Sequence, residues 1–390
     1  MIQKEHALNH LLDLLALPGS SGKETFVAQE IERRFVQMGC EPSWIHYDNA
    51  DQKLGAEFEI GNLIIQFPGT LQKPHILFSA HMDTVPLCKE AIPVIKKDKV
   101  VSKNNTGLGG DDRAGCAAMV TLAETILKNK IPHPPITFLF VIAEEGGLFG
   151  SKMVELPDLG NPVMGFNLDG QYPNEVVIGA MSATRWKVNI TGRSAHAGLE
   201  PEKGISAALI AAKAISTIEQ KGFFGKIVQE NELGTSNVGK IYGGEASNQV
   251  MDQLVVEGEC RSHNPTFLEK IIQVHRHCFK NAAETVKNTA QKSGQIQFET
   301  TDDYHAFRLA ESEPCVQIVF QAMEKEGIKP NPTIMDAGLD ANNLNEKGLP
   351  TVTLGTGTHH FHTTDEYVNI QEYLTTCRLL VRIIQQIDKK

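Results

Sequence analysis

Two histidines and a set of carboxylates stand in five short motifs scattered along the chain. They are His81-Met82-Asp83, Asp111-Asp112, Glu144-Glu145, Asp169-Gly170, and His362 within Phe361-His362-Thr363-Thr364-Asp365-Glu366-Tyr367. Each follows or borders an apolar run that reads as a β-strand. In an open α/β sheet the carboxyl ends of parallel strands meet at one crevice, so residues distant in the chain become neighbours there. Imidazoles and carboxylates gathered in that way suit hard or borderline divalent metal ions.

The motifs differ in what they demand. Residues two apart on a strand point to the same side, so His81 can face an ion while Asp83 orients it from behind. Gly109-Gly110-Asp111-Asp112-Arg113 sets adjacent carboxylates at a turn that opens a helix, where either aspartate can act as N-cap. Its glycines lack the G-x-G-x-x-G spacing of a dinucleotide loop, and two aspartates would repel a pyrophosphate. An apolar strand that ends in Glu144-Glu145-Gly146-Gly147 is hard to explain by stability. One carboxylate of that pair can bind metal while the other acts on a water as general base. Asp169-Gly170, taken alone, is an ordinary turn. Together, Asp83, Asp111, Glu144, Glu145 and Asp169 would repel one another strongly at low dielectric. Two divalent ions offset much of that repulsion, so the expected site is dinuclear.

The elements that must position these residues are legible in outline. Ile76-Leu77-Phe78-Ser79-Ala80 runs straight into His81, and residues 136–143 are almost wholly apolar, as expected of a strand buried on both faces. Residues 163–168 form a further short strand that delivers Asp169. Ala114, Ala117, Ala118, Leu122 and Leu127 recur at helical spacing. Strands alternating with helices predict an α/β fold with a mostly parallel sheet and flanking helices. The texture changes near residue 180, where Trp186, Val188 and Ile190 alternate with polar residues. A helix over 205–221, strands near 236–242 and 253–260, a long helix over 265–292 and a strand over 295–300 follow. The order β-α-β-β-α-β is ferredoxin-like. The expected organisation is therefore one α/β domain in two parts, 1–180 and 302–390, interrupted by an α+β domain over 181–301. Helices over 315–325 and 373–387 and a strand over 351–354 complete the second part.

Composition narrows the partners. At 390 residues the chain can bury large cores. A net charge of −10 argues against nucleic acid or an anionic membrane surface, both of which reward a basic face. Seven scattered cysteines without a C-x-x-C argue against a disulfide framework or a thiolate metal site, and favour a reducing cytoplasm. No apolar run approaches the ~20 residues of a membrane span. Asp13 interrupts the first apolar stretch, which reads as a helix rather than a signal peptide.

Ser79-Ala80-His81-Met82-Asp83-Thr84-Val85, Gly109-Gly110-Asp111-Asp112-Arg113-Ala114-Gly115, Ala143-Glu144-Glu145-Gly146 and Asn167-Leu168-Asp169-Gly170 occur in an order that resembles the co-catalytic zinc family. That family holds peptidase T, glutamate carboxypeptidases, acetylornithine deacetylase and succinyl-diaminopimelate desuccinylase. The likeness spans nearly the whole chain and is greatest to peptidase T-like tripeptide aminopeptidases. It implies a zinc-exopeptidase-like catalytic domain with an inserted lid and dimerisation domain. By position, Asp111 would bridge two zinc ions, for which cobalt or manganese could substitute. His81 and Asp169 would complete one site, Glu145 and His362 the other. Glu144 matches the general base and Asp83 the acid behind His81. His362 is preferred to His359 and His360 because the family's last ligand precedes a glutamate by four residues, here Glu366. Arg113 stands where relatives often carry lysine.

The same resemblance extends into the insert. Gly192-Arg193-Ser194-Ala195-His196-Ala197-Gly198 looks like the lid motif whose histidine stabilises an oxyanion, in some members from the partner subunit. Asn248 and Arg261 match positions that hold a substrate carboxylate, a task suited to the planar donors of arginine; a surface ion pair is the other reading of Arg261. Asp340 and Gly355, with Gly338, Thr356 and Gly357, resemble loops that line the cleft. The implied activity is hydrolysis of the N-terminal peptide bond of tripeptides by a homodimer. The alternatives are an N-acyl-amino-acid deacylase or carboxypeptidase of the same family, or a relative that binds metal or peptide without catalysis. The intact Glu144 argues against the last.

Overall fold

The strands Ile136–Val141 (ITFLFV) and Ile76–His81 (ILFSAH) are buried at every position. They pair in parallel with Ile76 opposite Ile136 and His81 opposite Val141. Met164–Gly170 lies parallel on the other side of Ile76–His81, and Thr351–Gly355 lies parallel beyond it. These four form the centre of a nine-stranded sheet. The sheet is mixed, because Ile45–Tyr47 and Leu63–Phe67 join one margin antiparallel, and Glu175–Ala180 pairs antiparallel with Thr351–Gly355 on the other. Side-chain alternation explains why both faces are covered. Phe78, Phe138 and Phe166 stack on one face, with ring centroids 6.1 and 5.3 Å apart, while Leu77 and Leu139 point to the other. Fully burying each such ring contributes roughly 1.5–3 kcal/mol.

The computed structural model describes residues 2–229 and 231–387. The chain divides into two units, one built from residues up to Ala180 and from Phe307 onward, the other from Met181–Ala306. In the first unit the helices Lys4–Leu15, Thr25–Gln37, Gly110–Asn129, Pro314–Lys325 and Ile370–Ile387 share the larger core with the phenylalanine face. Asp340–Glu346 packs Leu344 into the smaller core on the opposite face, while Phe149 and Met153 of the helix Phe149–Met153 pack against the larger core. Gly115 lets the helix Gly110–Asn129 approach the strand that bears Asp169: a Cβ there would meet the Leu168 carbonyl oxygen at 2.4 Å. A smaller sheet takes the order Thr358–His359, Tyr367–Asn369, Lys99–Ser102, Pro93–Lys96.

The second unit is a wholly antiparallel sheet in the order Gly225–Gln229, Glu232–Gly243, Gln253–Ser262, Ser182–Thr191, Gln295–Tyr304. Its helices Ala207–Gln220 and Pro265–Thr285 share a core with Trp186, Val188 and Ile190. Ser206 and Asn264 cap them, each accepting backbone N–H groups of the first turn. Three features differ from the sequence reading. An extra edge strand, Gly225–Gln229, joins the ferredoxin-like order. The second helix stops at Thr285 rather than near 292, with Val286 already extended. The last strand continues to Tyr304, so the division falls after Ala306 rather than at 301. Among the described residues no helix is long and apolar enough to cross a membrane, and all seven cysteines are buried and unpaired.

Candidate metal centre

His81 ends its strand with an almost fully buried ring. Its Nε2 lies 3.0 Å from Asp111 Oδ1, and its Nδ1 lies 3.3 Å from Asp83 Oδ1. Asp83 is fully buried and densely bonded. Its oxygens also accept Ser21 Oγ at 2.6 Å, the Glu144 N–H at 3.0 Å and the Glu145 N–H at 3.2 Å. The glutamate turn is shaped by Ala143, which adopts a φ of +50°, a conformation that costs a non-glycine residue about 1–3 kcal/mol. Glu24 Oε1 holds that turn by accepting the Ala143 N–H at 2.9 Å.

The adjacent aspartates part company. Asp112 accepts the Gly115 N–H at 3.0 Å, as an N-cap side chain does, and the His81 N–H at 3.2 Å. Asp111 faces the other way, between two imidazoles. Its second oxygen, Oδ2, lies 3.2 Å from His362 Nε2, which is also 2.8 Å from Glu145 Oε1. Asp169 Oδ1 and Glu144 Oε2 each stand 3.9 Å from His81 Nε2. The structure thus brings His81, Asp83, Asp111, Glu144, Glu145, Asp169 and His362 into one cluster. Two overlapping groups, His81–Asp111–Glu145 and His81–Asp112–Asp169, have ligand atoms within 4.8 Å of one another. The oxygens of Asp112 are already engaged by backbone amides, which leaves Asp111 as the aspartate of the pair that faces both histidines.

The charges describe a place for cations. Burial raises Glu144 and Asp169 well above the ordinary carboxylate range, with neighbouring carboxylates adding to it. Burial also pushes Asp111 up, but bonds to His362 and His81 override it and hold Asp111 low. His362 is raised to about 10, first by Asp111 and then by Glu145. Burial opposes protonation of His81, yet Asp111 and Asp83 together keep it well above 6.5. Protons on two imidazoles therefore supply the positive charge between the acids. Nitrogen and carboxylate oxygen are the donors that zinc, cobalt and manganese accept, so the donor set fits a pair of divalent ions.

Other expected residues fare differently. Gly355 is buried, and packing accounts for it: a Cβ would lie 2.1 Å from the Tyr172 carbonyl oxygen. Asp340 does not line an open cleft either. It is buried, neither oxygen has a hydrogen-bond partner, and burial raises its carboxyl to about 6. Ser151 lowers it somewhat, although that hydroxyl donates to the Leu148 carbonyl. His359, passed over in favour of His362, is buried, its Nε2 2.6 Å from Glu372 and its ring stacked on Tyr367; His360 is exposed.

In the second unit His196 is exposed, and its loop is tied to that of Asn248 by the Ala197 N–H bond to the Asn248 carbonyl at 2.9 Å. Arg261 makes a two-pronged pair with Glu259 at 3.0 and 3.1 Å, so the ion-pair reading describes its state here. Sequence reasoning missed the supporting residues Ser21 and Glu24, and left open which of Asp111 and Asp112 caps the helix. It also used Glu366 only as a spacing mark. Their common signal is a polar residue buried beside a motif, which becomes visible only once the loops are in place.

The sequence pattern of peptidase family M20/M25/M40 matches residues 77–386. The chain belongs to this family. The M20 peptidase is 32% identical to the uncharacterized protein YqjE of Bacillus subtilis (strain 168) over the full length of both. Its fold matches the aminopeptidase PepT of Bacillus cereus ATCC 10987 with a TM-score of 0.85, at 31% identity over 99% of each chain. It matches a tripeptidase of Staphylococcus aureus Mu50 with a TM-score of 0.90, at 28% identity over 100% of each. Within the family it is peptidase T-like. The M20 peptidase is accordingly a metal-binding hydrolase with a candidate dinuclear centre.

Proposed function

We propose that this M20 peptidase is an aminopeptidase that removes the N-terminal residue of tripeptides with the help of two zinc ions. The observation that carries the reading is the Asp111 carboxylate, which offers one oxygen to each of two histidines, 3.0 Å from His81 and 3.2 Å from His362. Asp111 would be the shared ligand, with His81 and Asp169 completing one position and Glu145 and His362 the other. Ions bound there would bring the pKa of a water toward about 7 and polarise the scissile carbonyl.

The chain's own residues supply the remaining steps. Glu144 takes the proton of the attacking water and delivers it to the departing amine. Asp83 fixes the His81 ring through Nδ1 and leaves Nε2 for the site. His196 donates a hydrogen bond to the developing oxyanion. Asn248 and Arg261 hold the carboxylate of the substrate, which requires Arg261 to exchange Glu259 for it.

The choice of a free N-terminus is supported by the similarity to the aminopeptidase of Bacillus cereus and the tripeptidase of Staphylococcus aureus. Its test is a panel of a free tripeptide, the same tripeptide N-acetylated, and N-acetyl amino acids. Hydrolysis of the free tripeptide alone is expected, with the first residue released. Turnover of only the blocked compounds would overturn the reading in favour of a deacylase. We also propose a cytoplasmic homodimer joined through residues 181–301, which light scattering on the purified protein and cell fractionation would test, and zinc as the resident metal, which elemental analysis would test.

A further inference from the structure

Glu366 stands four residues beyond His362, and its carboxylate is almost fully buried, 3% exposed. It accepts three backbone N–H groups from the loop that leads into Asp111. Leu108 and Gly109 donate to Oε2 at 2.7 and 2.8 Å, and Asp111 itself donates to Oε1 at 3.2 Å. Amides converging on one anion form a nest of the kind that binds phosphates and other acids, and here the chain fills it from within. The loop holds Gly107, Gly109 and Gly110, so its backbone has little rigidity of its own. Stabilising a loop would require no particular address. The grip on the Asp111 N–H, by a residue four positions from His362, is such an address: one carboxylate joins the two segments whose side chains meet at 3.2 Å.

We propose that Glu366 is a positioning residue that sets the gap between Asp111 and His362, and with it the geometry of the metal position those two share with Glu145. The proposal rests on Asp111 being the shared ligand. Glu366→Gln keeps the size of the side chain but turns an NH2 group toward amides that are themselves donors. Whichever way the amide turns, at least one of the three N–H groups faces a donor and loses its acceptor, while every proposed ligand remains.

The test is titration of metal-free protein with cobalt(II), followed by visible absorption and by elemental stoichiometry, on variants shown to be folded by circular dichroism. Wild type is expected to take up two ions. E366Q should keep one step and weaken the other by about 10- to 100-fold, with a changed spectrum for the weaker ion. Gly107→Ala provides a second route. Its added Cβ would lie 2.7 Å from Cys88 Sγ and 3.2 Å from Glu366 Oε2, displacing the carboxylate without altering any proposed ligand. The same step should weaken, by less, and this variant decides the matter if E366Q does not fold. Fewer than two ions in wild type would defeat the dinuclear reading itself. Two ions in wild type, with both steps unchanged in the folded variants, would defeat the positioning role alone.

Discussion

Asp83 and Glu144 are joined through the main chain: Oδ1 of Asp83 accepts the Glu144 N–H at 3.0 Å. The same oxygen lies 3.3 Å from His81 Nδ1. The acid that orients an imidazole therefore also sets the backbone that carries the proposed base. Substituting Asp83 should disturb both residues together. The expected result for Asp83→Ala is metal affinity lowered by about 10- to 100-fold, with turnover still depressed when metal is saturating. Restoration of full turnover by excess zinc would show that Glu144 is placed without Asp83.

Glu144 itself separates binding from chemistry. It stands 3.9 Å from His81 Nε2 and makes no bond to His362, whereas Glu145 does. Glu144→Gln is therefore expected to retain both ions and to lose about 10²- to 10⁴-fold in turnover. Elemental analysis beside a tripeptide assay checks it. Wild-type activity in the loaded variant would remove Glu144 from the reaction.

Metal loading should expel protons. His362 is raised to about 10 by Asp111 and Glu145, and His81 stands well above 6.5. The folded-state pKa of His362 lies above its unfolded value. Its contribution to the stability of the metal-free protein is thus fully present below about pH 6.5 and is lost as pH rises toward 10. Ions require neutral imidazole, so loading near pH 7 should displace a proton from each ring. Calorimetric titration in buffers of differing ionisation enthalpy measures this release. Binding heats that do not depend on the buffer would contradict it.

Glu24 offers a test with a slope of the same sign in a lower pH window. Burial, reinforced by Asp83, raises its carboxyl to about 7, and its Oε2 is buried without a partner. The folded state therefore holds a proton that the unfolded chain releases near pH 4.5, so the Glu24 share of stability falls between about pH 4.5 and 7. Urea unfolding of wild type and Glu24→Gln across that range should show a decline in wild type that is shallower in the variant. Parallel curves would mean that Glu24 ionises normally.

The parts of this molecule that were legible in the sequence share a cause. Apolar runs such as ITFLFV and ILFSAH must be buried on both faces, which fixes their place at the sheet centre and sends His81 and the glutamate pair to one end. The antiparallel margins were not legible, because Leu63–Phe67 has the same apolar texture as its parallel neighbours. The roles of adjacent acids were hidden for a different reason. Asp111 and Asp112 are chemically alike, and only the local backbone decides which one caps the helix and which faces the histidines. Gly355 carries a packing requirement that the sequence did not show: a Cβ there would meet the main chain of Tyr172. Bonds from side chains to distant backbone, such as those of Glu366 and Glu24, leave no periodicity to read.

Arg113 makes the same point and carries the last prediction. By charge alone it is equivalent to a lysine. The structure gives it a task that depends on shape. The guanidinium is 1% exposed and donates to the carbonyls of Met82, Leu14, Leu17 and Gly19. It thereby ties the end of the first helix and the residue after His81 to the start of the Asp111 helix. Among the described residues no carboxylate forms an ion pair with it, so its hydrogen bonds go to these oriented carbonyls while the nearby charges of Asp83 and Glu24 favour the cation. An ammonium has three donors radiating from one point and cannot reach the same spread of acceptors. Arg113→Lys should leave at least one buried carbonyl unsatisfied and cost about 1–3 kcal/mol of stability, seen as a lower urea midpoint at unchanged slope. Metal stoichiometry should stay at the wild-type value in the folded fraction, because no proposed ligand bonds to Arg113. An unchanged midpoint would mean that charge, and not the guanidinium fork, is what this position requires.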